Sequence, residues 1–198
     1  MRTGIFGGTF SPIHNGHIKA ARSFLSELEL DMLYVIPDRI PPHKQISGAD
    51  DPWLRLEMVK KAFESDEKIV VSDVELRREG KSYTVETLPA FTGNGELFML
   101  IGTDMFLSFD RWYRYRDIFG MCTLVLMVRE SRESGLRAEI DAKKALYEAQ
   151  GAKICELTAE PFPISSTELR ALIAEDKATD GYIPACVREF IDEKGLYR

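Results

Sequence analysis

Thr3-Gly4-Ile5-Phe6-Gly7-Gly8-Thr9-Phe10-Ser11-Pro12-Ile13-His14-Asn15-Gly16-His17 carries an apolar run into a glycine pair and on toward a helix start. A short strand that empties through a glycine turn into a helix aims backbone N–H groups at one point, and that point suits a phosphate. Two of the chain's three histidines, His14 and His17, stand three residues apart here, so their rings can share one face. Gly16 between them opens the backbone to close approach. The competing reading makes both imidazoles helix caps and nothing more. The third histidine, His43, belongs to a second compact motif, Pro41-Pro42-His43-Lys44.

Working outward, Ile18, Ala21, Leu25 and Leu28 lay one apolar stripe along a helix from about Asn15 to Glu29. Met32 to Ile36 reads as a buried strand, and Pro37 to Pro42 as a proline loop. Asp51-Pro52 opens a second helix whose Leu54, Met58, Val59 and Ala62 face inward. Ile69 to Ser72 returns as a strand, Glu75 to Lys81 as an exposed charged turn, and Ser82-Tyr83-Thr84 leads into a short helix. Further strands are expected at Leu97 to Ile101, Thr123 to Val128 and Lys153 to Leu157, with a surface helix over Leu136 to Gln150 stopped by Gly151. Ser165-Ser166-Thr167-Glu168 is a capping box opening a helix through Ala174, and a last helix runs from about Pro184 to Glu193. Such alternation favours an α/β fold, a doubly wound and mainly parallel sheet with helices on both faces and a C-terminal helical segment. Ligands of such sheets collect at the strand C-termini.

The bulk numbers fit this. A chain of 198 residues makes one domain, 1–198, and would bury roughly 70% of its unfolded surface. Hydrophobic residues are 44% and charged residues 29%, ordinary values for a globular protein. A formal charge of −6 argues against a nucleic-acid partner, so a polyanionic ligand has to be met by a local basic pocket. Cys122, Cys155 and Cys186 are odd in number and in no ligand spacing, which points away from disulfides and zinc and toward a cytoplasmic setting. The first strand begins within two residues of Met1, leaving no room for a signal peptide, and no apolar run reaches membrane-spanning length. A homo-oligomer is compatible with everything in the chain, since dimer surfaces leave no dependable trace in one sequence.

Gly7-Gly8-Thr9-Phe10 matches neither the G-x-G-x-x-G dinucleotide fingerprint nor the P-loop, because no Gly-Lys-Ser/Thr follows. The His14-Asn15-Gly16-His17 spacing instead resembles the H-x-G-H nucleotidyltransferase superfamily, which moves an NMP unit from an NTP onto a phosphate. Pro41-Pro42-His43-Lys44, Ser82-Tyr83-Thr84, Gly102-Thr103-Asp104 with Phe109 and Trp112, and Ile164 to Arg170 follow in the order of bacterial nicotinate mononucleotide adenylyltransferases. Val187 to Tyr197 is similar to that family's closing helix. One position departs: the family usually has Asp between Phe and Pro of its first motif, and here Ser11 stands there. A hydroxyl can still anchor the loop.

The resemblance implies a Rossmann-like fold and a single nucleotidyltransferase domain. It implies transfer of AMP from ATP to nicotinate mononucleotide, giving deamido-NAD and pyrophosphate, with Mg²⁺ carried on the ATP phosphates and no protein metal ligands. Nicotinamide mononucleotide or phosphopantetheine as acceptor, and a nucleotide-binding sensor without catalysis, are the alternatives. His14 and His17 would donate to the ATP phosphates and Arg170 would reach the β and γ phosphates. Gly7, Gly8, Thr9 and Phe10 would shape the turn beneath ATP, with Ser165, Ser166, Thr167 and Arg129 as further ATP contacts. On the acceptor side, Lys44 would pair with phosphate, Asp104 with ribose hydroxyls, and Trp112 would stack on the pyridine ring. Thr84 and the backbone near Tyr113 would receive the carboxylate.

Overall fold

The structure, a computed structural model, describes residues 1–41, 51–93, 95–128, 134–157, 162 and 164–198. Strands Arg2–Gly8 (β1), Met32–Pro37 (β2), Ile69–Val71 (β3), Glu96–Gly102 (β4), Thr123–Met127 (β5) and Lys153–Leu157 (β6) make one sheet in the order β3-β2-β1-β4-β5-β6. Each neighbouring pair is parallel, with Gly8 opposite Pro37 and Ile5 opposite Met99. The order reverses between β1 and β4. Chains leaving those two strands diverge to opposite faces, and the crevice this opens is where a doubly wound sheet binds ligands.

Alternation along the strands feeds two cores. Leu33, Val35, Phe98, Leu100 and Val125 point to one face, where helices Asn15–Glu27 (α1), Pro52–Phe63 (α2), Ser166–Ala174 (α7) and Ala185–Lys194 (α8) supply Phe24, Val59, Leu169 and Ile191. Ile5, Ile36, Met99, Ile101 and Leu124 point to the other. There Thr84–Thr87 (α3), Thr103–Leu107 (α4), Tyr115–Phe119 (α5) and Ser134–Ala149 (α6) bring Val85, Phe106, Ile118 and Tyr147. Burial on both faces explains why the central strands read as unbroken apolar runs. Among the described residues, no helix is long and apolar enough to cross a membrane.

Three expectations change. Helix α1 ends at Glu27, because Glu29 takes a left-handed φ of 48° and the Leu30 N–H turns back to the Leu25 carbonyl. On α2 the inward face is Arg55, Leu56, Met58, Val59 and Phe63, while Leu54 and Ala62 are only partly buried. Arg55 occupies the helical position that pairs with Met58 and Val59, and its guanidinium finds acceptors inside the protein. Finally, Glu75 to Lys81 is not wholly an exposed turn: Glu75 is 8% and Leu76 3% exposed. The carboxyl goes inward, where the Thr87 hydroxyl donates to it with an oxygen–oxygen distance of 2.6 Å.

Candidate active site

Beyond Gly8 the chain turns sharply through Phe10, at a left-handed φ of 48°, and enters α1 at His14. The Phe10 ring is buried against the bare face of Gly8, where an added Cβ would lie 2.9 Å from it. Its edge backs the His17 ring at 5.2 Å. The Gly16 N–H donates to His14 Nδ1 (3.1 Å), and the His14 N–H donates to His17 Nδ1 (3.3 Å). Both imidazoles are therefore caps, as the competing reading held, and they also line a cleft. Capping settles their chemistry. With each Nδ1 accepting, the proton of each neutral ring sits on Nε2, so capping orients one N–H donor per ring. The rings stack with centroids 3.7 Å apart. Gly16 has a sharper reason than phosphate approach, since a Cβ there would meet the His14 ring at 2.9 Å and Phe162 at 3.0 Å.

A second helix start faces the first. Glu168 N–H donates to Ser165 Oγ (3.2 Å) and Ser165 N–H to Glu168 Oε2 (2.7 Å), the capping box read from the sequence. The Ser165 hydroxyl, which donates to Glu168 Oε2 (2.6 Å), and then the Ser165 N–H hold the Glu168 carboxyl below the usual carboxylate range. Arg170 Nη1 donates to the Ser11 carbonyl (2.6 Å) and its Nη2 to Thr167 Oγ1 (3.2 Å), while Ser166 Oγ donates to the Pro12 carbonyl (3.1 Å). Ser11 is buried, with its hydroxyl 3.5 Å from the Tyr197 hydroxyl. The resulting 800 Å³ cleft is lined by Gly7, Gly8, Thr9, Phe10, His14, His17, Asp104, Ser165, Ser166, Thr167 and Arg170 among others. Two helix N-termini and the Arg170 guanidinium set partial and full positive charge around it, and the two imidazoles add N–H donors, in a chain of charge −6.

Across the β1 terminus lies a smaller cavity of 180 Å³ with a floor of Ile5, Ile36, Leu88 and Met99 and a rim of Tyr83, Thr84, Trp112 and Tyr113. Trp112 is held by Phe109 at 4.8 Å, and Tyr113 lies 4.7 Å from Tyr83. The two cavities share Gly7, Gly8, Thr9, Leu100 and Met105. Asp104 lines the larger cleft and is not brought beside Thr84 and Trp112. Lys44 and Arg129, with Pro42 and His43, lie outside the described residues.

Residues that sequence reasoning missed form the polar wall of the smaller cavity. Asp38, Glu75 and Thr87 line it beside Ser82 of the Ser82-Tyr83-Thr84 motif, and Arg55 stands behind. Thr87 Oγ1 donates to Glu75 and accepts from Arg78 Nη2 (2.5 Å), and Ser82 Oγ accepts the Arg39 N–H (2.9 Å). Burial pushes the Glu75 carboxyl above its ordinary range. The only hint in the sequence was Arg55 at an inward helical position. Among the described residues, no three His, Cys, Asp or Glu side chains gather as a metal site.

Residues 5–172 match the cytidylyltransferase-like family model. The chain is 35% identical to nicotinate-nucleotide adenylyltransferase of Bacillus subtilis, over 99% of this chain and 98% of that one. It is also 35% identical to a protein of Clostridium kluyveri named probable nicotinate-nucleotide adenylyltransferase, over the whole of both chains. Among solved structures, Plasmodium falciparum nicotinic acid mononucleotide adenylyltransferase complexed with NaAD superposes with a TM-score of 0.75 at 16% identity, covering 99% of this chain and 97% of the other. That similarity establishes the doubly wound fold.

Proposed function

The chain belongs to the cytidylyltransferase-like family and, within it, to the nicotinate-nucleotide adenylyltransferases; from that premise we propose that it transfers AMP from ATP to nicotinate mononucleotide. The observation that carries this reading is the pair of cavities meeting along Gly7, Gly8 and Thr9, one lined by His14, His17 and Arg170, the other by Tyr83, Trp112 and Tyr113. We treat residues 1–198 as one nucleotidyltransferase domain.

ATP takes the larger cleft and nicotinate mononucleotide the smaller. A phosphate oxygen of the mononucleotide forms a bond to the α-phosphorus as the bond from that phosphorus to the bridging oxygen breaks, releasing pyrophosphate. The chain supplies no nucleophile. Its work is to align two polyanions and to meet the charge that develops on the transferring and leaving oxygens with donors already in place. His14 and His17 suit that task because capping fixes their tautomers and turns Nε2–H into the donor. Arg170, held by Ser11 and Thr167, stands one turn into α7 and meets the leaving phosphates. Trp112 stacks on the pyridine ring, with Thr84 and the backbone at Tyr113 toward its carboxylate. Asp104, on the ATP side, takes ribose hydroxyls. Lys44 and Arg129 remain expected contacts of phosphate and ATP.

Mg²⁺ fits as a passenger on ATP. Asp104 is the one carboxylate in the described lining of the ATP cleft, too few for a cage, and the ion would neutralise charge on the β and γ phosphates. A cytoplasmic setting agrees with three free cysteines. The test is turnover with MgATP and either nicotinate or nicotinamide mononucleotide, followed as pyrophosphate release and dinucleotide formation. The acid is expected to be the preferred acceptor. Release from neither would overturn the reading.

A further inference from the structure

Arg55 is fully buried, yet it sits at the centre of a polar corner. Its Nη1 donates to the Thr9 carbonyl (2.6 Å) and to Asp38 Oδ1 (3.2 Å), and its Nη2 donates to the carbonyls of Asp38 (2.8 Å) and Arg39 (3.3 Å). Asp38 Oδ2 in turn accepts the Thr9 hydroxyl (2.8 Å), and the Asp38 N–H donates to the Gly8 carbonyl (3.0 Å). Thr9 is thereby held twice, by its carbonyl directly and by its hydroxyl through Asp38. Thr9 also belongs to the wall shared by both cavities.

We propose that Arg55 is a positioning residue for the transfer step, fixing the Gly8-Thr9 partition so that the acceptor phosphate meets the α-phosphorus in line. This rests on the adenylyl-transfer reading above. The guanidinium touches neither cavity, so it acts through Thr9 and Asp38. Each substrate keeps its remote anchors when Arg55 changes: Trp112 and Thr84 hold one, while the histidines and α7 hold the other. What shifts is the distance between the reacting groups, and a displacement of about 1 Å at that step costs about 10²-fold in rate. A lysine carries the same charge to the same place but cannot reproduce a planar fork that serves carbonyls of two loops at once.

The test uses full-length enzyme with MgATP and nicotinate mononucleotide, comparing R55K, D38N and the double variant. R55K is expected to lower kcat by about 10- to 100-fold, with both KM values within about threefold and ATP affinity by calorimetry unchanged. D38N is expected to lower kcat by about tenfold, and the double variant to be no worse than R55K, as expected for residues that act as one unit. A folded R55K with wild-type kcat, or additive losses in the double variant, would overturn the proposal. If R55K fails to fold, D38N decides, and an unchanged kcat there overturns it. Wild-type enzyme that releases no pyrophosphate sinks the reaction itself, whereas an active wild type with indifferent R55K sinks only the role of Arg55.

Discussion

The larger cleft and the smaller pocket share a wall but are built by opposite means. In the cleft most charge-meeting groups are backbone N–H groups and rings fixed by neighbours two or three residues away, as in the bonds from Gly16 to His14 and from His14 to His17, with Arg170, held by the distant Ser11 carbonyl, the exception. In and behind the pocket wall the polar side chains find partners across 9 to 46 residues, Arg78 to Thr87, Glu75 to Thr87 and Arg55 to the Thr9 carbonyl among them. Helix N-termini present partial charge without burying an ion, and a wide polar cleft leaves that charge hydrated until substrate arrives. A small aromatic pocket has no such latitude. Carboxylates in its wall lose water, so each needs a partner inside the protein. The cleft is expected to lose chemistry when altered, and the pocket to lose acceptor affinity or stability.

The strongest attack on that contrast is at the histidines. H17A is expected to lower kcat by about 10²-fold or more, the scale of losing one transition-state donor, and to cost about 1 kcal/mol of stability through the lost cap. H14N separates the two jobs, because asparagine caps helices well but brings no ring. Its melting temperature is expected to stay near wild type while kcat falls. An H17A enzyme with wild-type turnover would break the comparison at once. W112A probes the other side with a smaller effect. Loss of stacking worth about 0.5–1.5 kcal/mol raises the KM for the acceptor by about 2- to 13-fold, leaving the KM for ATP in place. A shared rise in both KM values would mean that the pockets are not separate in function.

The same contrast explains what the sequence could disclose. The cleft was legible because its signals are local: a glycine turn after a strand, histidines at i and i+3, and Ser165 with Glu168 at capping distance. Even there, one role was read too loosely, since Gly16 is small to admit the His14 ring. Strand alternation and the parallel sheet were also visible, because burial on both faces writes apolar runs into β1, β2, β4 and β5. The pocket wall was hidden for the converse reason. Glu75 stands in a run of charges, Glu75 to Lys81, that reads as solvated surface, and its buried carboxyl is met by the Thr87 hydroxyl from another element. Arg55 carries a surface residue's identity at an inward position, and besides Asp38 Oδ1 its acceptors include the carbonyls of Thr9, Asp38 and Arg39, which leave no mark in a sequence.

Glu75 gives the smallest effect and the sharpest test of the pocket's construction. Loss of hydration raises its proton affinity first, and Asp38 adds to that, while hydrogen bonds from Thr87 and Ser82 and the charge of Arg78 oppose it. A carboxyl whose folded pKa lies above the ordinary 4.5 binds more protons folded than unfolded in the interval between the two values. Its contribution to stability is therefore fully present below the ordinary pKa and is lost as pH rises through the folded one. At neutral pH the buried charge opposes folding. E75Q keeps the shape and an oxygen for the Thr87 hydroxyl without the charge, so it is expected to melt at or above the wild-type temperature at pH 7 to 8. The advantage should shrink on acidification toward the folded pKa. Melting curves resolve this, since about 1 kcal/mol shifts a chain of this length by about 2–4 °C. An E75Q protein that is instead less stable at neutral pH, with the gap closing in acid, would show that Arg78 and the hydroxyls outweigh the lost hydration. The pocket would then hold its charges as the cleft does, by donors already in place.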